Sequence, residues 1–125
     1  MILIVGGYSQ GKLAFAKDKF KVDEKSIYDA EFPEEKINGK SVINNFNKWV
    51  KAYGKEQSET VSRIEEYIML NPDCIIISDE IGNGIVPIGE EEREFRERLG
   101  RIQIELAKKA KEVYRITCGI GWKIK

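Results

Sequence analysis

Between Val5 and Gly6 the chain passes from an unbroken aliphatic run into a glycine loop, and this junction constrains the fold more than any other feature. Ile2-Leu3-Ile4-Val5 has no polar face, the pattern of a strand buried on both sides in a parallel sheet. Gly6-Gly7-Tyr8-Ser9-Gln10-Gly11-Lys12 follows and matches G-x-x-x-x-G-K between a strand and a helix, the setting a phosphate-binding loop needs. In such a loop, backbone N–H groups in a glycine-permitted turn converge on phosphate oxygens. The helix N-terminus adds its dipole, and Lys12 supplies a point charge. The position after the lysine normally carries a Ser or Thr hydroxyl that holds Mg²⁺; here it is Leu13. Read without a ligand, the same residues are a strand-to-helix turn with an exposed lysine. On the phosphate reading, Gly6, Gly7, Tyr8, Ser9, Gln10, Gly11, Lys12 and Leu13 form the nucleotide contact.

The rest of the chain alternates helix and strand signals. Lys12 to Phe20 reads as a helix with Leu13, Ala16 and Phe20 facing a core. A short strand is expected around Ser26-Ile27-Tyr28, and a loop over Glu31 to Lys40, which contains Pro33 and Gly39. Phe46, Trp49, Val50 and Tyr53 make one helical stripe that Gly54 ends. Val61, Ile64, Tyr67 and Ile68 make a second helix over Ser58 to Leu70, with Ser58 as its N-cap. Trp49 and Trp122 read as core or interface anchors rather than stacking platforms. Cys74-Ile75-Ile76-Ile77-Ser78 is the strongest strand. Phe95, Leu99, Ile102, Leu106 and Ala110 line a long helix from about Glu90, followed by a strand over Val113 to Thr117 and a short edge strand over Trp122 to Ile124. This order predicts an α/β fold, a P-loop NTPase-like, mainly parallel sheet flanked by helices. At 125 residues, it is one domain spanning 1–125.

The second candidate element is Asp79-Glu80, delivered at the C-terminal end of an apolar strand, where open α/β sheets place their ligands. Asp79 and Glu80 are candidate Mg²⁺ ligands, and Glu80 with Lys12 are candidate catalytic residues, the carboxylate accepting a proton from an attacking hydroxyl. Capping of a helix or loop is the alternative role for either carboxylate. Gly82 and Gly84 form a glycine loop directly after the pair, either a tight turn or a substrate lip. Arg96 and Arg101, on the long helix, are candidate phosphate contacts, with a solvated or interface role as the default.

Composition narrows the partners. Lys+Arg and Asp+Glu balance at 21 each, so no global field recruits nucleic acid or an anionic membrane, and any anion site is local. The opening apolar run is too short for a signal peptide or a membrane span. Cys74 and Cys118 lie in apolar stretches without metal spacing and read as buried, reduced thiols, which with the rest predicts a cytoplasmic protein. There is no histidine, which removes the commonest general base and zinc ligand.

Several segments together resemble the adenosylcobinamide kinase/adenosylcobinamide-phosphate guanylyltransferase family of cobalamin biosynthesis. They are Ile2 to Gly7 with Gly11-Lys12, Asp79-Glu80-Ile81-Gly82-Asn83-Gly84-Ile85-Val86-Pro87, Phe95-Arg96 with Gly100-Arg101, and Gly119-Ile120-Gly121-Trp122-Lys123-Ile124-Lys125. The resemblance runs over roughly Met1 to Tyr28 and Pro72 to Lys125. It implies a P-loop enzyme that phosphorylates a corrinoid from ATP or GTP and then couples the product to GMP through a histidine. With no histidine here, that second step has no route of the family's kind. Leu13 replaces Ser/Thr, Asp79 stands where the family has Asn, Gln103-Ile104 stands for an Asn-Gln pair, and the segment around Asn44 to Lys55 replaces the family's histidine-bearing region. The resemblance also implies a homo-oligomer.

Three functions follow as expectations. The first is a nucleotide-binding protein that transfers phosphate from ATP or GTP to a corrinoid, with guanylyl transfer lost. The second is a non-catalytic nucleotide- or corrinoid-binding regulator with a degenerate P-loop site. The third is a P-loop fold kept for structure alone.

Overall fold

The computed structural model of the chain describes residues 1–30, 37, 39–80 and 89–125. Elements follow in the order β1 (Ile2–Gly6), α1 (Lys12–Phe20), a 3-10 turn (Glu24–Ser26), β2 (Ile27–Asp29), β3 (Val42–Asn44), α2 (Phe46–Tyr53), α3 (Gln57–Leu70), β4 (Ile75–Asp79), α4 (Glu90–Lys109), β5 (Glu112–Thr117) and β6 (Ile120–Lys123). The sheet order is β2-β3-β4-β1-β5-β6. Five strands run parallel, and β6 folds back antiparallel on β5 as a hairpin edge.

The aliphatic strands sit in the middle because they alone can be buried on both faces. In β1, Leu3 and Val5 join one hydrophobic cluster while Ile4 joins the other. β4 splits likewise, Ile76 to the first and Ile75 and Ile77 to the second. The first face carries the stripes of three helices: Phe46 and Val50 from α2, Ile64 and Tyr67 from α3, and Leu99, Ile102 and Leu106 from α4. The second face is packed by α1 through Ala16, with Leu13, Phe15 and Phe20 partly buried around it. Each aliphatic side chain fully buried in these layers contributes about 1.5–3 kcal/mol relative to exposure.

Parallel pairing aligns the C-terminal ends of five strands on one sheet edge. Gly6 of β1 is in register with Asp79 of β4 and with Ile116 of β5. The same edge therefore receives the glycine loop after β1, Asn44-Asn45 after β3, Asp79-Glu80 at β4 and the turn after β5. Gly6 has to be glycine, because a Cβ there would lie 2.6 Å from the carbonyl oxygen of Ile116.

Three expectations change. The helix placed over Ser58 to Leu70 begins at Gln57, flanked by Glu56, and Ser58 is not its cap. Thr60, fully buried, anchors this end instead, its hydroxyl donating to the Glu56 carbonyl at 2.9 Å. Cys74 is buried, but Cys118 is exposed, because it occupies the hairpin turn rather than a strand interior. Trp122 is exposed on β6, whereas Trp49 is partly buried and stacks between Phe46 and Tyr53. Most of the loop expected over Glu31 to Lys40 lies outside the described residues.

Candidate functional site

The glycine loop closes over the N-terminus of α1 with two left-handed residues, Ser9 at φ 54° and Gly11 at φ 86°. This curvature turns the loop around Lys12, whose side chain is almost fully buried. The Lys12 ammonium donates to the Gly7 carbonyl at 2.7 Å and pairs with Asp79 Oδ1 at 2.7 Å. The Lys12 ammonium is thus held between the main chain of its own loop and the carboxylate at the end of β4. A cleft of about 210 Å³ opens here, bounded by the loop from Tyr8 to Leu13, by Asn44 and Asn45, and by Asp79.

Asp79 is fixed from two further sides. Asn47, in the first turn of α2, accepts from the Asp79 backbone N–H at 3.0 Å and donates its amide to Asp79 Oδ2 at 3.4 Å. Gln103, on α4, donates Nε2 to the Ser78 hydroxyl and to the Asp79 carbonyl, both at 2.9 Å. The Glu80 backbone N–H donates to the Gly6 carbonyl at 2.8 Å, which ties the acidic pair to the start of the glycine loop. The Glu80 carboxylate turns the other way, into a two-point pair with Arg115 of β5 at 3.1 Å for each contact.

A second hollow of about 190 Å³ lies beside the first. Asn47, Asp79, Glu80, Phe95 and Arg96 are among its walls. Asp79 is thus the wall common to both hollows. Arg96 reaches this second hollow, its charge loosely balanced by Glu92 at 3.7 Å. Arg101 lines neither hollow and pairs with Glu97 one turn back along α4 at 3.4 Å, the solvated role open to any surface arginine. Gly82 and Gly84 lie outside the described residues.

A resident Mg²⁺ does not fit these side chains as they are arranged. Lys12 occupies one Asp79 oxygen and Asn47 the other, Glu80 is held by Arg115, and Leu13 has no hydroxyl to offer. Among the described residues, no group of three acidic, cysteine or histidine side chains converges to hold a metal ion. No described helix is long and apolar enough to cross a membrane.

Asn47 and Gln103 were not among the site residues read from the sequence. An amide that acts through a pair of hydrogen bonds to a neighbouring strand leaves no spacing or composition signal. The one available hint was Gln103 standing where the resembling family has its Asn-Gln pair.

The sequence model of the family described as cobinamide kinase / cobinamide phosphate guanyltransferase matches residues 40–124, about two-thirds of the chain. The match takes in β3, α2 and α3, which the motif resemblance leaves aside, and starts after the glycine loop. Two proteins named bifunctional adenosylcobalamin biosynthesis protein CobU are similar, one from Escherichia coli (strain K12) and one from Salmonella typhimurium (strain LT2). Each is 43% identical to this chain over 51 residues, 41% of the chain and 28% of the relative. The aligned stretch thus spans less than a third of the length of either curated relative.

Proposed function

Because the chain belongs to the cobinamide kinase / cobinamide phosphate guanyltransferase family, we propose that it binds the phosphates of ATP or GTP on the glycine loop and transfers the terminal phosphoryl group to a hydroxyl of a corrinoid. The observation that carries this reading is Asp79 as the common wall of two hollows, one formed by the phosphate loop and the other beside Glu80 and Arg96. Phosphoryl transfer is mainly positioning and charge stabilisation, with donor and acceptor oxygens in line. Two hollows that share the Asp79 wall would let a donor phosphate and an acceptor hydroxyl approach the same carboxylate.

In this scheme Lys12 leaves Asp79 for the phosphates, since an ammonium gains more from a polyanion than from one carboxylate. Asp79, still held by Asn47 and Gln103, is then free to accept the hydrogen of the acceptor hydroxyl. Arg96 faces the incoming acceptor and offsets the negative charge. Glu80, held by Arg115, lines the acceptor hollow beside Asp79. The bond from the terminal phosphorus to the bridging oxygen breaks as the new one forms, ADP or GDP leaves, and the proton taken by Asp79 passes to solvent. The guanylyl transfer of the family has no histidine to run through in these residues, so the scheme ends at the phosphorylated corrinoid.

One set of observations favours a second reading, binding without transfer. Both candidate carboxylates already carry cationic partners, and Leu13 lacks the hydroxyl expected after Lys12. A regulator that only senses a nucleotide or a corrinoid needs the cradle and not a free base.

Titration calorimetry with ATP and GTP, with and without Mg²⁺, combined with transfer of labelled γ-phosphate to cobinamide, separates the possibilities. Either nucleotide is expected to bind, and Lys12→Ala to weaken binding at least tenfold, since it removes a charge-assisted contact of about 1.5–3 kcal/mol. Labelled cobinamide phosphate supports the kinase reading; binding without label supports the regulator. If neither nucleotide binds, the kinase reading and a nucleotide-sensing regulator both fall, and a cobinamide titration decides whether a corrinoid-sensing one survives.

A further inference from the structure

The turn that closes the C-terminal hairpin rests on the phosphate loop. Cys118 and Gly119 form the two-residue connection between β5 and β6, with φ values of 50° and 76°. Positive φ at both central positions is the type I′ form of a tight hairpin turn, and the N–H groups of both residues are free of the β5–β6 ladder. Both are taken by one residue of the glycine loop. Cys118 N–H donates to Gln10 Oε1 at 2.7 Å, and Gly119 N–H donates to the Gln10 carbonyl at 2.8 Å. Contact is close as well as polar: a Cβ on Gly11 would lie 3.3 Å from Gly119 Cα.

Gln10 therefore sits between the two left-handed residues that shape the loop, Ser9 and Gly11, and is pinned at both its main chain and its side chain. Ser9 is not glycine, and a left-handed conformation there persists only where neighbouring contacts hold it. Two hydrogen bonds from an element more than a hundred residues away provide such a hold.

We propose that Gln10 is a positioning residue, and that by clasping the β5–β6 turn it keeps the loop in its phosphate-ready curve before any nucleotide arrives. The hairpin then tunes nucleotide affinity without touching phosphate, and by linkage a bound nucleotide makes the open state of the hairpin turn rarer. This inference rests on the nucleotide-binding reading, and its test keeps the two apart.

Two variants and two readouts decide it. Gln10→Met keeps the length of the side chain and loses the acceptor; Gln10→Glu keeps an acceptor oxygen. In the nucleotide-free protein, amide exchange at the loop and at Cys118 is expected to quicken about tenfold in Gln10→Met and to stay slow in Gln10→Glu. The melting temperature should fall by only the few degrees that one lost hydrogen bond costs, and Gln10→Glu should restore both it and the slow exchange. The dissociation constant for ATP or GTP should rise about tenfold in Gln10→Met, the loss expected for one hydrogen bond. Loop exchange unchanged in Gln10→Met overturns the inference, as does nucleotide affinity within twofold of the unaltered protein. Should the unaltered protein bind no nucleotide, the nucleotide reading and the affinity half fail together, and exchange alone decides whether Gln10 sets the loop.

Discussion

Cys74 and Cys118 show how little a residue's sequence neighbours say about its chemistry. Both lie in apolar stretches, and both read as buried. Cys74 is buried against β1 and the helical layer, and its thiol is pushed up to about 11, chiefly by that burial. Cys118 is exposed because the chain reverses there, a fact set by pairing of Thr117 with Ile120 and not by hydropathy. A thiol reagent at pH 8 is therefore expected to consume one equivalent quickly, at Cys118, and a second only on unfolding. Two fast equivalents in the native protein, or modification mapped to Cys74, would contradict this. The site residues divide in a similar way. Lys12 and Asp79 were legible because a loop motif and a strand end announce them. Asn47 and Gln103, which fix Asp79, were not, since their partners are chosen by packing of α2 and α4 on β4.

At the scale of elements, the helices were readable to within a residue or two at each end, because each carries a stripe with a 3.6-residue period. α2 shows why its end was also clear. Gly54 takes φ 64° and donates its N–H to the Val50 carbonyl, the left-handed closure that glycine allows cheaply. Gly54→Ala should cost about 1 kcal/mol, or roughly 3–5 °C in melting temperature for a chain this size. A shift under 1 °C in a thermal melt would mean the neighbours relax around the new Cβ. β3 was not anticipated, for the opposite reason. Three residues, Val42–Asn44, are too few to display any period, and they become a strand only through pairing with β2 and β4. That unseen strand is what brings Asn44 and Asn45 to the cleft.

For the molecule as a whole, the aliphatic strands and the glycine loop already implied a parallel sheet with ligands at one edge. The uneven coating of that sheet was not legible, since nothing in a helix's own pattern says which face it will take. One consequence is a core concentrated under α2, α3 and α4, where Cys74 and Tyr67 share a single cluster. Tyr67 donates its hydroxyl to the Lys40 carbonyl at 2.6 Å, and burial raises its phenol above the ordinary value of 10.0. Both groups must stay protonated for this face to remain apolar. Their folded values exceed the unfolded ones, so the folded chain retains protons that the unfolded chain releases. Stability contributed in this way is complete below about pH 9 and falls as pH rises through the folded value of about 11 for Cys74, with Tyr67 adding to the loss from about pH 10 upward. For Cys74 alone the loss by pH 11 is of the order of 2 kcal/mol. Urea unfolding at intervals from pH 8 to pH 11 measures it. The free energy should hold between pH 8 and pH 9 and then decline, and Cys74→Ala should flatten the decline between pH 9 and pH 10 whatever it does to stability at pH 8. An identical slope in the variant would show that the thiol carries no part of the alkaline limit.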